Sequence, residues 1–160
     1  MTLNDIQEEV TNFLQRNLRF FERVDFVIGM SRGGLIPAAI IATKINKPLI
    51  TAYIDKQDNI YFDRKEWIND KVVLVVDDIV RSGRTLFLLE KYLKENSTVK
   101  ELLFYTIFSV SHLRDKQYTT VISSKEMKED IILPWDYDRT EKIVIKKIEI
   151  PNLEQNKDDV

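Results

Sequence analysis

Two spacings of hydrophobic residues run along the chain, and they predict the order of its strands and helices. Apolar runs predict strands at residues 25–30, 48–54, 72–76 and 101–110. The β-branched run 72–76 is the strongest of these and is typical of a strand buried on both faces of a parallel sheet. Apolar residues at helical spacing predict helices at residues 4–19, 35–45 and 85–95. Weaker strand-like segments follow at residues 119–123, 130–135 and 141–150. Asn4 is the predicted N-cap of the first helix.

Strands alternate with helices over the first two-thirds of the chain, which predicts an α/β fold with a mostly parallel central sheet flanked by helices. Right-handed crossovers bring the carboxyl ends of parallel strands to one edge of the sheet, where such sheets bind ligands. We predict a single domain over residues 1–160, with a small C-terminal hood at roughly 124–150 and a disordered tail at 152–160. The polar stretch 55–71 fits either a hairpin arm or a mobile loop.

Composition and charge exclude several classes of protein. The formal net charge of −2 and the pI near 5.6 disfavour a general binder of nucleic acid or of membrane surfaces. The absence of cysteine excludes thiolate chemistry, and the single histidine, His112, excludes multi-histidine metal sites. No apolar run approaches the length of a membrane span and the acidic N-terminus is unlike a signal peptide, so we expect a cytoplasmic protein.

All four glycines of the chain lie in two predicted strand-to-helix loops, GMSRGG at 29–34 and RSGR at 81–84. Glycine lets main-chain N–H groups approach an anion closely, and the N-terminus of a following helix favours phosphate. Turn geometry alone would explain glycine in either loop, but both loops also carry serine and arginine. Two such loops on one sheet edge predict a ligand with two separated phosphate groups.

Two adjacent acids, Asp77 and Asp78, directly follow the apolar run 72–76. At the end of a buried strand, at least one carboxylate should point into the ligand crevice. One acid could instead cap the following turn while the other is exposed, but this alternative explains the pair less well. Carboxylates near phosphates hold sugar hydroxyls or a bridging Mg²⁺, so the pair supports a sugar-phosphate ligand.

Three motifs of the chain resemble those of one family. VVLVVDDIVRSGRTL at 72–86 closely resembles the signature with which type I phosphoribosyltransferases bind phosphoribosyl pyrophosphate (PRPP). FVIGMSRGGLIPAAIIA at 26–42 resembles the pyrophosphate loop of the xanthine-guanine and related purine-salvage branch, and LPWDYD at 133–138 looks like that branch's C-terminal hood. The motifs occur in the family's order, and the resemblance spans roughly residues 24–150.

The resemblance implies a role for each motif. Asp77 and Asp78 would hold the ribose hydroxyls of PRPP, directly or through Mg²⁺, and would act in catalysis together with Arg32. The loop that binds the 5′-phosphate would comprise Arg81, Ser82, Gly83, Arg84 and Thr85. The loop that binds the pyrophosphate would comprise Ser31, Arg32, Gly33 and Gly34. The nucleobase would contact Trp135, by stacking, and Asp136.

Two positions on the base side depart from the purine-salvage pattern. That branch typically has an aspartate that handles the proton on the base, but this chain has Arg81, which cannot act as a base at neutral pH. The branch usually has a lysine that donates to the exocyclic oxygen of a purine, but TIFSVSH at 106–112 has Val110 there. The resemblance therefore implies a PRPP-binding protein whose second substrate stays open.

The leading hypothesis is a phosphoribosyltransferase that transfers the ribose 5-phosphate of PRPP to a purine-like base and releases pyrophosphate, with Mg²⁺ as its cofactor. A second is a non-catalytic regulator that binds PRPP or a nucleotide on the same fold. A third is a type I transferase in which Arg81 contacts an acidic group on the acceptor. Dimers are common in the family, so a homodimer is expected, whereas nucleic acid and membrane partners are not.

Overall fold

The computed structural model describes residues 1–110, 121–128 and 131–136 of the chain. Its strands are β1 (Phe26–Met30), β2 (Leu49–Ile54), β3 (Ile60–Phe62), β4 (Val72–Val80), β5 (Glu101–Ser109) and β6 (Val121–Glu126). Its helices are α1 (Leu3–Arg16), α2 (Leu18–Phe21), α3 (Leu35–Ile45) and α4 (Arg84–Asn96), with a short 3₁₀ helix at Lys65–Ile68. Within these described segments, no helix is long and apolar enough to cross a membrane.

The six strands form one sheet in the order β3-β2-β1-β4-β5-β6, and every neighbouring pair except β2–β3 is parallel. The predicted fold class, a mostly parallel sheet flanked by helices, is confirmed. From β1 the chain crosses through α3 to β2 on one side, and from β4 it crosses through α4 to β5 on the other. The carboxyl ends of β1 and β4 therefore border a topological switch point, the place where open α/β sheets form a ligand crevice.

Alternate residues of β4 pack into two different cores. Val72, Leu74 and Val76 lie in the core that includes residues of α1 and α3, whereas Val73 and Val75 lie in the core that includes residues of α4. This separation follows from the two-residue period of a strand, which sends successive side chains to opposite faces. The alternation holds from Val72 to Val76 and shifts after the acids, since Ile79 packs against the first core and Val80 lies in the second.

The first helix differs from the prediction at both ends. Thr2, not Asn4, is the N-cap, because the Thr2 hydroxyl accepts the Asp5 N–H at 3.2 Å while the Asp5 carboxylate accepts the Thr2 N–H at 2.7 Å. Asn17 interrupts the helix after Arg16, and its side-chain amide donates to a main-chain carbonyl one turn earlier at 2.8 Å. The predicted helix is therefore two helices, α1 and α2.

β4 is longer than the apolar run that predicted it. The strand continues through both acids to Val80, with Asp77 paired to Thr106 and Val80 paired to Ser109 of β5. The long neighbouring strand β5 supplies backbone partners for polar residues of β4 as well as for apolar ones. The acids consequently lie within the last part of the strand rather than beyond its end.

The strand predicted at 130–135 is wrong over its described part. Leu133 and Asp136 close a turn instead, in which the Asp136 N–H donates to the Leu133 carbonyl at 2.9 Å. Pro134 lies inside this turn and has no N–H to contribute to a ladder.

The weak strand at 119–123 corresponds to β6, which pairs in parallel with β5 from Val121 to Glu126 at the edge of the sheet. The predicted strand 141–150, the tail 152–160 and His112 lie outside the described residues. Most of the predicted hood lies outside them as well, and its first residues belong to β6.

The polar stretch 55–71 contains the hairpin arm, one of the two alternatives that its composition allowed. β2 and β3 pair in antiparallel fashion, and the loop between them is Asp55–Asn59. The Asp55 carboxylate closes this loop by accepting the main-chain N–H groups of Gln57 at 2.8 Å and Asn59 at 2.9 Å. The 3₁₀ helix then leads back into β4.

Candidate active site

The two adjacent acids of β4 face opposite sides of the sheet. Asp77, on the α4 face, borders the loop that precedes that helix. Asp78, on the α3 face, contacts the first glycine loop and Trp135. The contacts of each acid, and not strand parity alone, show this divergence, because the regular alternation of β4 shifts between Val76 and Ile79. The pair therefore presents one carboxylate to each glycine loop.

On the α4 face, Asp77 lies at a small cavity of about 170 Å³, whose other lining residues are Ile79, Val80, Arg81, Ser82, Gly83, Arg84 and Thr85. Gly83 has a φ of 74°, in the left-handed region, so the turn into α4 requires glycine. The cavity lies at the N-terminus of a 13-residue helix and is also lined by two arginines. Main-chain N–H groups, helix dipole and cationic side chains thus all favour an anion here.

On the α3 face, Gly33 and Gly34 bring the first loop directly onto the acids. A Cβ atom on Gly34 would lie 2.2 Å from the carbonyl oxygen of Val76, and one on Gly33 would lie 1.9 Å from Oδ2 of Asp78. Neither position has room for a side chain, so glycine is required for this contact. The close approach places both predicted phosphate loops within reach of the same acid pair.

The neighbouring residues of this loop complete the turn from β1 into α3. The Ser31–Arg32 peptide bond is cis, the Ser31 N–H donates to the carbonyl of Ala52 in β2 at 2.8 Å, and the Arg32 side chain is exposed. Gly34 and Met30 close the turn with a main-chain hydrogen bond of 2.9 Å. The loop is therefore tied to the sheet at its start while its arginine faces solvent.

Asp78 is held by both its side chain and its main chain. Oδ1 accepts the N–H of Ile79 at 2.7 Å, and Oδ2 accepts the indole N–H of Trp135 at 2.7 Å. The Thr106 hydroxyl lies 2.9 Å from the carbonyl oxygens of both Asp78 and Phe108, which share its single proton. These contacts fix the orientation of the Asp78 carboxylate before any ligand binds.

The electrostatics of Asp77 follow from its surroundings. Burial, and then the charge of neighbouring Asp78, raise the pKa of Asp77 from its usual 3.8 to about 8. The Asp78 N–H donates to Oδ1 of Asp77 at 2.9 Å and acts in the opposite direction, but more weakly than burial does. Without a cation nearby, Asp77 therefore carries a proton at neutral pH.

The donor set fits Mg²⁺ held jointly with a substrate. Among the described residues, no cluster of three or more histidine, cysteine, aspartate or glutamate side chains could enclose a metal by itself. Two carboxylates are nevertheless what Mg²⁺ commonly takes from a protein, since it fills its remaining positions with water and substrate phosphates. Because Asp77 and Asp78 contact opposite sides of the sheet, they would hold the ion through water and the ribose hydroxyls rather than enclose it together.

The two positions that depart from the purine-salvage pattern both border the α4 side. Arg81 is exposed and lines the cavity with the rest of its loop. Val110 packs against the core that includes α4, and its N–H donates to the carbonyl of Val80 at 3.3 Å. An aliphatic side chain has no hydrogen-bond donor, so Val110 cannot take the role of the lysine.

Asp136 is exposed, and its carboxylate accepts the N–H of Leu133 at 3.1 Å. The predicted contact of Asp136 with a base stays a prediction.

Two residues at the site were missed by sequence reasoning. Thr106, which donates to Asp78, lies in the TIFSVSH segment, and the predicted pairing of β4 with β5 could have found it. Asp58, at the tip of the β2–β3 hairpin, forms an ion pair with Arg84, 26 residues away. No local pattern signals that pair, because it depends on how the hairpin folds back toward α4.

These features define an α/β protein with a crevice in which two glycine loops converge on an acid pair. Residues 3–142 match the model of the phosphoribosyl transferase domain family, so the chain belongs to this family of pentosyl-transferring enzymes. The family membership that the motifs predicted is confirmed. The comparison with curated proteins gives no significant match.

Solved structures share the fold. The chain is similar to a purine phosphoribosyltransferase from Pyrococcus horikoshii OT3, with 22% identity and a TM-score of 0.67 over 92% of this chain and 96% of that one. It is similar to a hypoxanthine-guanine phosphoribosyltransferase from Bacillus anthracis, with 23% identity and a TM-score of 0.66 over 81% and 82%. An orotate phosphoribosyltransferase from Aeropyrum pernix also matches, with 19% identity and a TM-score of 0.60 over 78% and 71%. Transferases named for purines and for orotate thus share this fold, so the fold does not identify the base.

Proposed function

We propose that this protein transfers the ribose 5-phosphate of PRPP to a purine-like nucleobase and releases pyrophosphate. The observation that carries the proposal is the placement of Asp77 and Asp78 on opposite faces of β4, with one glycine loop beside each. A sugar that bears one phosphate on its 5′-oxygen and a second group of phosphates on C1 matches this arrangement.

Each part of the site has a task in this reaction. The loop from Arg81 to Thr85 binds the 5′-phosphate with its main-chain N–H groups and the start of α4. The loop from Ser31 to Gly34 binds the pyrophosphate, and the exposed Arg32 neutralises charge on it as it leaves. Asp77 and Asp78 orient the ribose hydroxyls between these two loops.

Catalysis of this reaction depends mainly on stabilising the negative charge of the departing pyrophosphate. A ring nitrogen of the base forms a bond to C1 of the ribose while the bond from C1 to the pyrophosphate oxygen breaks, and the electron pair of that bond leaves with pyrophosphate. The proton that the ring nitrogen carried passes to water, because Arg81 cannot accept it at neutral pH. Asp77 and Asp78 would hold Mg²⁺ through the ribose hydroxyls and water, and the ion would supply positive charge against the phosphates. The chain's own residues bind and orient the sugar, so that attack at C1 meets the correct geometry.

The residues on the base side support recognition of a purine-like ring, but not of one particular purine. Trp135 is half-buried next to Asp78 and offers an aromatic surface there. Val110 and Arg81 replace the donor and the acid with which the purine-salvage branch recognises a 6-oxopurine. We therefore propose an acceptor recognised mainly by its ring.

The proposal is tested by incubating the protein with Mg²⁺, PRPP and a panel of purines, pyrimidines and carboxylated bases, while measuring pyrophosphate release and nucleotide formation. Turnover with a purine is expected. Turnover only with carboxylated acceptors would instead favour a transferase in which Arg81 contacts an acidic group. PRPP binding without turnover across the panel would favour the non-catalytic regulator on the same fold.

A further inference from the structure

The indole N–H of Trp135 donates to Oδ2 of Asp78 at 2.7 Å, across 57 residues of chain. Trp135 is half-buried and packs against the core between the sheet and α3. The resemblance implies that this ring stacks on a base, but stacking uses only its faces. Its single hydrogen-bond donor, at the ring edge, is directed to the acid that would hold the ribose.

The segment that carries Trp135 is anchored on both sides of the ring. Leu133 is 1% exposed and lies in the same core, and its N–H donates to the Asp136 carboxylate at 3.1 Å. The Asp136 N–H donates back to the Leu133 carbonyl at 2.9 Å. The indole edge is therefore presented to Asp78 from a closed turn.

The carboxylate of Asp78 has little room to adopt another orientation. Gly33 closes one side of Oδ2, where even a Cβ atom would lie only 1.9 Å away, and Ile79 occupies Oδ1. The adjacent carboxylate of Asp77 repels that of Asp78 whenever both are charged. A neutral donor such as the indole N–H stabilises the carboxylate of Asp78 next to Asp77 without supplying a cation that would compete with a metal.

We infer that Trp135 is a positioning residue for Asp78, whose carboxylate it holds in the orientation that receives Mg²⁺-PRPP. The inference rests on the proposed function. Trp135, on the base side of the site, would thus influence the binding of PRPP through its contact with Asp78. Changes to Trp135 should therefore alter the affinity for PRPP even when no base is present.

The test is a calorimetric titration of Mg²⁺-PRPP, without any base, into the wild type and four variants. Trp135→Phe keeps an aromatic ring and removes the donor. Trp67→Phe is the matched control, since Trp67 lies in the 3₁₀ helix beneath the Arg64 guanidinium. Asp78→Ala and the double variant Asp78→Ala/Trp135→Phe complete a double-mutant cycle.

Trp135→Phe should weaken Mg²⁺-PRPP binding about tenfold, the effect expected for a lost hydrogen bond to a charged group. Trp67→Phe should stay within about twofold of the wild type, and Trp135→Phe should cause no further loss in the Asp78→Ala background. Unchanged affinity in Trp135→Phe, or an equal loss in both backgrounds, would overturn the inference alone. A wild type that does not bind Mg²⁺-PRPP would overturn the proposed function and this inference with it.

A second measurement decides the matter if Trp135→Phe does not fold. In Trp67→Phe protein, Trp135 is the only tryptophan, so its emission reports on the indole directly. Addition of Mg²⁺-PRPP, or the further change Asp78→Ala, should shift that emission because both alter the acceptor of the N–H. Emission that responds to neither would contradict the inference.

Discussion

The proposed PRPP side and the proposed base side of this crevice are built in different ways. Glycine loops, a helix N-terminus and the alternation of one strand form the PRPP side, and these are properties of the backbone. Side chains from separate parts of the chain, among them Arg81, Val110 and Trp135, form the base side. The first side resembles the family pattern except at Arg81, where its phosphate loop borders the base side, whereas the second departs from the pattern at Val110 as well. A site formed by main-chain groups thus requires a recognisable local sequence, whereas a site formed by separate side chains can change at one residue without the others.

The largest effect is expected from substitutions that disrupt the PRPP side. Replacing Asp77 and Asp78 together with Asn should weaken Mg²⁺-PRPP binding by at least about a hundredfold, because two hydrogen-bonded charged groups are lost. Calorimetry measures the affinity, and circular dichroism checks that the fold is retained. Asp63→Asn/Asp70→Asn, a change of two exposed acids, is the matched control. Equal affinity in the two double variants would mean that the acid motif has been misread.

The raised pKa of Asp77 predicts a pH-dependent stability of the ligand-free protein. Folded Asp77 holds its proton up to a pKa of about 8, whereas unfolded Asp77 releases it near 3.8, so the folded state binds more protons between these values. The stability contributed by the neutral acid is complete below about pH 4 and declines as pH rises toward 8.

Asp77→Asn cannot ionise and should remove this decline. Relative to the variant, the wild type should lose on the order of 2 kcal/mol of unfolding free energy between about pH 5 and 8. Denaturant unfolding in EDTA at several pH values measures the difference. Parallel stability curves for the two proteins would contradict the assignment of the proton to Asp77.

Arg81→Asp tests whether one side chain on the base side selects the acceptor. Restoring the acid of the purine-salvage pattern should raise kcat/KM for hypoxanthine or guanine about tenfold, within the range that one acid–base group contributes. Steady-state kinetics with saturating PRPP measures this. Arg81→Asn, which removes the cation without adding an acid, is the control. An equal gain in both variants would show that loss of the arginine, and not gain of the acid, matters.

The smallest expected effect concerns the hairpin that reaches the PRPP side. Asp58 has a φ of 65°, which Asn tolerates well, so Asp58→Asn should remove the ion pair with Arg84 and leave the turn intact. Ribose 5-phosphate should then bind about threefold tighter at low salt, since exposed ion pairs are weak. Calorimetry at low and high salt measures this, with Asp63→Asn as the control. Weaker binding would indicate that Asp58 orients Arg84 for phosphate and does not compete with it.

The sequence predicted the fold and the convergence of two glycine loops on the acid pair because both depend on local patterns. The apolar run 72–76 was enough to place a central strand, and glycines in two loops were enough to place the anion-binding turns. It did not predict that β4 continues through Asp77 and Asp78, since pairing with β5 extends the strand beyond its apolar part. Nor did it predict the bond between Trp135 and Asp78, which depends on the packing of a distant turn.

The position of the acids in β4 sets a length constraint on this protein. Because successive residues of a strand face opposite sides, one residue inserted or deleted between Val72 and Asp77 would exchange the faces of both carboxylates. Each acid would then meet the wrong loop, although every residue type would still be present. Insertions in the loops before and after β4 would leave this parity unchanged. The site should therefore tolerate substitution within the strand more readily than a change of a single residue in its length.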